Sequence, residues 1–311
     1  MRQISIIGAG TMGHSIALTV AWRNLSATIY AMDEKEVERA TASIQQKVDT
    51  LVHSELLSEG DSIQLLRNIR FTTSLMDCIQ GTDFIIEAVP EKLAIKKELY
   101  QLVEAFIQPH IPIASNTSGI PTSSLSADML YPDRFIITHF WNPAHLIPLV
   151  EVVPGKETSE KTVEQTMDLL KQLGKKAILV RKEVPGFIGN RLQFALFREA
   201  QYLMSEGVAS KEDIDLAVTH SIGRRLPMTG PLMSADFTGL DVVHAISEYL
   251  YEDLCSETKP GATMTQLIET YQLGVKSGQG FYTWDEDGLN EINKRREQLL
   301  IEFLKLDAGG V

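Results

Sequence analysis

Up to about residue 183 the chain alternates short apolar runs with stretches of helical spacing. The runs ISIIG (4–8), ATIY (27–30), IRFTT (69–73), DFIIEAV (83–89), IPIASN (111–116), RFIITHF (134–140), LVEVV (149–153) and KAILV (176–180) are predicted strands. Helical patterns begin near Gly13, Asp33, Leu93 and Glu157. Alternation of this kind predicts an α/β domain, a mostly parallel sheet covered by helices on both faces. After EVPG, near Val184, the period changes. FIGNRLQFALFREAQYLMSEG and SKEDIDLAVTHSIG repeat their apolar positions at helical spacing, and strand signals almost vanish. The predicted organisation is an α/β domain over 1–183 and an all-α domain over 184–311, with no internal repeat.

Composition narrows the classes. With 311 residues, 44% hydrophobic and 23% charged, the chain has the profile of an ordinary soluble protein of two domains. It contains no apolar stretch of membrane-spanning length, and no basic flank or cleavable apolar segment precedes the first strand. Cys78 and Cys255 are far apart and outside metal-ligand spacing, which fits a reducing cytoplasm and argues for no metal. A net charge of −12 argues against a nucleic-acid partner.

One stretch, ISIIGAGTMGHSIALTV, carries specific chemistry. Gly8, Gly10 and Gly13, with Thr11 and Met12 between the last two, form G-x-G-x-x-G between a strand and a helix. The first glycine permits the tight turn, the second lets a pyrophosphate approach the backbone, and the third lets helix and strand pack closely. The helix N-terminus offers free N–H groups to the phosphates. This is a dinucleotide site in a Rossmann-like domain. Asp33 lies 20 residues after Gly13 in the acidic run AMDEKE, with no base before Lys35. Such a surface repels a 2′-phosphate, so NAD is favoured over NADP. Asp33 can also simply cap the following helix, and the two roles are compatible.

Further motifs follow in order: SNTSGIP (115–121), HFWNP (139–143), LVEVV (149–153), VPGFIGNR (184–191), GPLMSADFTGLD (230–241) and LGVKSGQGFY (273–282). With the glycine loop they make the chain resemble the L-3-hydroxyacyl-CoA dehydrogenase family over nearly its whole length. The resemblance implies an NAD-binding domain, a helical domain that dimerises, a small-molecule substrate and a cytoplasmic enzyme of fatty-acid metabolism. Oxidising a secondary alcohol needs a base that titrates near neutrality, and His139 closes an apolar strand where a Rossmann-like sheet presents its ligands. Glu151 sits in a second apolar strand, an improbable place for a carboxylate without a partner. The resemblance assigns the base to His139 and its orienting carboxylate to Glu151. It assigns a hydrogen bond to the substrate oxygen to Ser118 and an orienting role to Asn190. That asparagine follows a predicted helix start at Pro185 and can alternatively serve helix packing. Glu91, Lys96, Asn142 and Lys276 fall on positions that in the family contact the nicotinamide half of the cofactor, and Lys96 and Lys276 can equally be solvated surface lysines.

Two departures stand out. Counting from Gly13, the family's ribose-binding Asp falls at Ala31, and Asp33 can replace it if the second strand continues that far. Residues 46–66, where CoA-using relatives supply bases for the CoA phosphates, hold one base, Lys47, against four acids, a loss that a CoA lying largely in solvent would tolerate. His145 and Pro148 also resemble a branch acting on free hydroxy acids or alcohols of the carnitine, gulonate or pyridine carboxylate type. A non-catalytic NAD(H)-binding protein is a third alternative, because a lens crystallin belongs to the family.

Overall fold

The computed structural model describes residues 3–308. The chain folds as two compact units, one reaching to Asn190 and including the C-terminal stretch from Arg296, the other spanning Arg191–Arg295. The first unit carries one eight-stranded sheet. Its strands are β1 (Gln3–Ile7), β2 (Ser26–Tyr30), β3 (Ile69–Thr72), β4 (Phe84–Glu87), β5 (Ile113–Ser115), β6 (Phe135–Phe140), β7 (Leu149–Pro154) and β8 (Lys176–Leu179). They lie in the order β3-β2-β1-β4-β5-β6-β7-β8. All neighbours pair in parallel except β6 with β7, which run antiparallel. Every predicted apolar run is thus a strand. The order reverses between β1 and β4, which opens a crevice at the carboxyl ends of the strands, the usual ligand position in a doubly wound sheet.

Helices cover both faces, so the central strands are buried on both sides and read as apolar runs rather than as alternations. On one face lie α1 (Thr11–Trp22), α2 (Glu34–His53), α3 (Glu59–Arg67) and α7 (Glu160–Gln172). They share an apolar cluster with Ile4, Ile6, Ile86, Ile136 and Val152. The helix α1 is buried from Gly13 to Ala21, which explains why its sequence is apolar on nearly every side. On the other face α4 (Leu75–Ile79), α5 (Leu93–Glu104) and α6 (Thr122–Ser126) pack with Ile7, Ile85, Ile113, Phe135 and Ile137.

The second unit is helical. It contains α8 (Gly189–Ser205) from Arg191 onward, α9 (Lys211–His220), α10 (Ile222–Arg225), α11 (Pro231–Thr238), α12 (Leu240–Asp253), α13 (Ala262–Glu269) and the first turns of α14 (Glu286–Ala308). From Arg296 onward α14 belongs to the first unit. There Ile301 is buried in the same cluster as Val48, Leu51 and Leu65, with Leu300 and Leu304 packed against it. Among the described residues no helix is long and apolar enough to cross a membrane.

Candidate functional site

The glycine loop is built to keep side chains out. A Cβ on Gly13 would stand 1.8 Å from the Gly8 carbonyl oxygen, and Gly8 itself has φ +110°. A Cβ on Gly10 meets nothing within 4 Å, so open space faces the loop at the point where a pyrophosphate must approach. Gly10 is the N-cap of α1, with no side chain capping the helix and no acid in its first turn. The free N–H groups and the positive end of the helix dipole are left for an anion. Thr11, exposed, and Met12, half-buried, open the helix. The donor set fits NAD.

β6 and β7 bring the two central side chains together. His139 and Glu151 are paired in the antiparallel register, and the imidazole Nδ1 lies 2.7 Å from Glu151 Oε2. Both are buried, Glu151 completely. The carboxylate also accepts from Trp141 Nε1 at 3.3 Å and from the backbone N–H groups of Ile188 and Gly189 at 2.8 and 3.0 Å. Burial pushes the Glu151 carboxyl up, but the hydrogen bonds from His139, Gly189 and Ile188 outweigh it and hold the group below the ordinary carboxylate value. The ring of His139 packs against Trp141 and Phe187, with centroids 5.3 and 5.6 Å away. A carboxylate fixed by four donors sets the imidazole tautomer: Nδ1–H donates to Glu151, which leaves Nε2 free to accept a proton.

The helix start predicted at Pro185 is displaced. Gly186 and Phe187 have φ of +75° and +50°, which a helix cannot include, and α8 begins at Gly189. That turn delivers the two N–H groups to Glu151. Gly189 is required there, because a Cβ would lie 2.3 Å from the Trp141 indole. Asn190, in the first turn of α8, donates from Nδ2 to the Ser118 carbonyl at 3.1 Å. Ser118 is exposed in the turn after β5, and its N–H donates to Glu91 Oε1 at 3.1 Å. The Thr117 hydroxyl also donates to Glu91. Asn116 Oδ1 accepts from the Phe140 N–H at 2.9 Å, tying this turn to the strand that carries His139. Ser118, His139, Glu151 and Asn190 therefore belong to one hydrogen-bonded assembly.

The remaining candidates are more scattered. Lys96 is buried, with Nζ 2.7 Å from Glu87 and 3.2 Å from Glu91. Asn142 is exposed at the start of the β6–β7 loop, and Lys276 is exposed in the Leu273–Ser277 turn of the second unit. The second strand does not continue to Asp33: it ends at Tyr30, and Asp33 Oδ1 accepts from the Glu36 N–H at 2.8 Å as the N-cap of α2. His145 is buried against α1, with Nδ1 3.0 Å from Ser15 Oγ. Burial foremost, then the charges of Lys47, Lys175 and His14, pull its pKa down to about 3, so the ring is neutral. Glu87, Thr117, Trp141 and the 188–189 amides have no place in the sequence reading. Glu87 had a usable signal, since it is a carboxylate inside the apolar run DFIIEAV just as Glu151 is inside LVEVV.

Residues 3–184 match the family described as "3-hydroxyacyl-CoA dehydrogenase, NAD binding domain", and residues 186–284 match its C-terminal domain. The chain belongs to the 3-hydroxyacyl-CoA dehydrogenase family. It is an NAD-dependent oxidoreductase acting on a CH–OH group. A 5-formyl-3-hydroxy-2-methylpyridine 4-carboxylate 5-dehydrogenase of Mesorhizobium japonicum is 33% identical over 311 residues, covering 99% of both chains. A solved structure of an enzyme of that name, described as an NAD+-dependent dismutase, has a TM-score of 0.92, 32% identity and 98% coverage of both chains. A probable 3-hydroxybutyryl-CoA dehydrogenase of Bacillus subtilis is 34% identical over 92% of this chain and 98% of its own length. The (S)-3-hydroxybutyryl-CoA dehydrogenase structure from Ralstonia eutropha has a TM-score of 0.77 and 34% identity, and covers 92% of this chain and all of that one.

Proposed function

We propose that this enzyme interconverts an L-3-hydroxyacyl-CoA and the 3-ketoacyl-CoA, with His139 as the base and acid. The observation that carries the reading is the buried His139–Glu151 pair, an imidazole with Nδ1 committed to a carboxylate and Nε2 left for a substrate proton. When bound, NAD takes up the hydride as the alcohol is oxidised. In that direction His139 Nε2 removes the hydroxyl proton, and Glu151 stabilises the resulting imidazolium through a charge-assisted hydrogen bond. Ser118 donates its hydroxyl hydrogen bond to the substrate oxygen, and Asn190 holds the backbone of Ser118 in place. Loss of less than about tenfold in kcat for His139→Ala, with NADH still bound, refutes the role of the base.

A second reading is favoured by the extent of the matches. The pyridine carboxylate dehydrogenase spans 99% of this chain, whereas the 3-hydroxybutyryl-CoA dehydrogenases named above span 92%. The same chemistry on a free hydroxy acid or alcohol therefore competes with the thioester. Reduction of acetoacetyl-CoA with NADH, beside oxidation of free 3-hydroxybutyrate, carnitine, gulonate and a pyridine 4-carboxylate bearing a 5-hydroxymethyl or 5-formyl group, separates the two. Turnover of a free substrate with none of the thioester overturns the first reading.

We also propose a homodimer through the second unit, and a cytoplasmic enzyme. Supporting the dimer, Phe194, Leu232, Phe237 and Tyr249 are 63%, 84%, 80% and 66% exposed, too much apolar surface for a lone helical unit. Supporting the location, Cys78 and Cys255 are both free and buried.

A further inference from the structure

Glu87 ends β4 with no exposed surface at all. An isolated carboxylate there would be very costly to bury, and this one is saturated with donors. Oε1 accepts from the Val89 N–H at 2.8 Å and from Lys96 Nζ at 2.7 Å. Oε2 accepts from the Tyr100 hydroxyl at 2.5 Å and from Ser115 Oγ at 2.6 Å. The Glu87 carbonyl accepts from the Asn116 N–H at 2.8 Å, at the start of the turn that contains Ser118.

The network does not stop at the core. Lys96, 1% exposed, is shared between Glu87 and Glu91, and Glu91 reaches the surface with its side chain 45% exposed. Glu91 in turn takes the Ser118 N–H and the Thr117 hydroxyl. A buried ammonium needs a buried counter-charge, and Glu87 is the partner that makes Lys96 tolerable in that position. Without it, Lys96 would swing toward solvent or draw Glu91 inward, and either movement releases the 117–118 turn.

We propose that Glu87 is a positioning residue of the dehydrogenase site. It anchors Lys96, Lys96 orients Glu91, and Glu91 fixes the turn that presents Ser118 to the substrate. This rests on the reading that Ser118 contacts the substrate oxygen. The site is then held by two buried carboxylates with four donors each, Glu151 behind His139 and Glu87 behind Ser118.

The test is a double-mutant cycle of Glu87→Gln and Ser118→Ala, with kcat and KM measured per active site counted by NADH titration. Glutamine keeps its oxygen on Val89 and Lys96 and turns its amide toward the Tyr100 and Ser115 hydroxyls, which can accept. Ser118→Ala alone is expected to lower kcat/KM by about tenfold or more, and Glu87→Gln alone by about tenfold, with NADH binding retained. In the Ser118→Ala background the Glu87→Gln effect should shrink below about twofold, since coupled groups are non-additive. Equal factors in both backgrounds mean that Glu87 serves only the fold and overturn the proposal. An unchanged kcat/KM in Ser118→Ala removes Ser118 from the mechanism and takes the proposal with it. If Glu87→Gln does not fold, Glu87→Asp, which keeps the charge but draws the carboxylate back from Lys96, replaces it. About threefold in the wild-type background and no effect beside Ser118→Ala is then expected, and equal factors refute it.

Discussion

Replacing Glu151 with glutamine changes the candidate site by one charge at constant size. The carboxylate is fully buried and accepts from His139, Trp141, Ile188 and Gly189. In the variant the amide oxygen stays with the two backbone N–H groups, so the NH2 faces the His139 and Trp141 side chains. His139 can then pair only by presenting an unprotonated Nδ1, which moves its proton to Nε2, the atom that has to receive the substrate proton. Two losses follow. The charge-assisted bond to the imidazolium is worth about 1.5–3 kcal/mol, and the wrong tautomer must be reversed before each turnover. Together they come to about 3–5 kcal/mol, or roughly 10²–10⁴ in kcat at 1.36 kcal/mol per tenfold. NADH formation and consumption should both fall by that factor, while NADH affinity, followed by fluorescence titration, stays within about twofold because the glycine loop is untouched. A kcat within about tenfold of the wild type would falsify the assignment of Glu151 as the group that sets the His139 tautomer.

Three more expectations can be checked independently. Burial, then the charge of Arg23, lowers the Lys175 pKa from 10.5 to about 8, so between those values the unfolded chain binds the additional proton. Stability should therefore rise as pH climbs through that window, and Lys175→Met should flatten the rise; identical slopes of Tm against pH for the two proteins contradict the burial of this charge. The kcat/KM ratio should favour NAD over NADP, and Ala31→Asp should tighten NAD further, since the Asp33 carboxylate is already engaged as a helix cap; a preference for NADP overturns the cofactor reading. Sedimentation at micromolar concentration should give a dimer that Phe237→Asp, at a position 80% exposed in the second unit, dissociates; a wild-type monomer refutes the dimer.

What was legible in the sequence depended on how far each feature was encoded locally. The central strands, buried on both faces, leave largely apolar runs, whereas the half-exposed edge strands β3 and β8 are legible as short β-rich runs between helical stretches. The helices α4 and α6 have five residues each, too few for a period to declare itself. α8 starts later than its sequence predicts because the positive φ of Phe187 is imposed by tertiary demand: the turn aims two amides at a carboxylate 37 and 38 residues away. Proline and glycine in VPG mark a turn but say nothing of its target. The reach of the second strand to Asp33 failed for the opposite reason, since a purely local preference, the capping of α2 by an aspartate, fixed the chain there. Lys96 was readable as a candidate, but its burial between two carboxylates was not, because lysine is usually a surface residue.

The C-terminal end of α14 bears on the substrate through charge as well as packing. It packs its Ile301 into the cluster that holds α2 and α3, so part of that helix pair faces protein instead of solvent. The groups left at the surface of the pair include Asp49, Glu55, Glu59 and Asp61. Lys47, the one base between 46 and 66, is half-buried with Nζ 3.5 Å from the Ser43 carbonyl oxygen. Its pKa is lowered by burial, and the negative charge of Glu297 on α14 opposes that shift. A polyphosphorylated ligand approaching this surface meets net repulsion, which salt screens. Thioester binding through phosphate–base pairs would weaken with salt; binding that relies on the acyl end would be indifferent to salt or improve with it. The acidic α2–α3 surface requires the second behaviour if a thioester is the substrate at all, and a KM for acetoacetyl-CoA that rises steeply with ionic strength would reveal a basic site elsewhere on the protein.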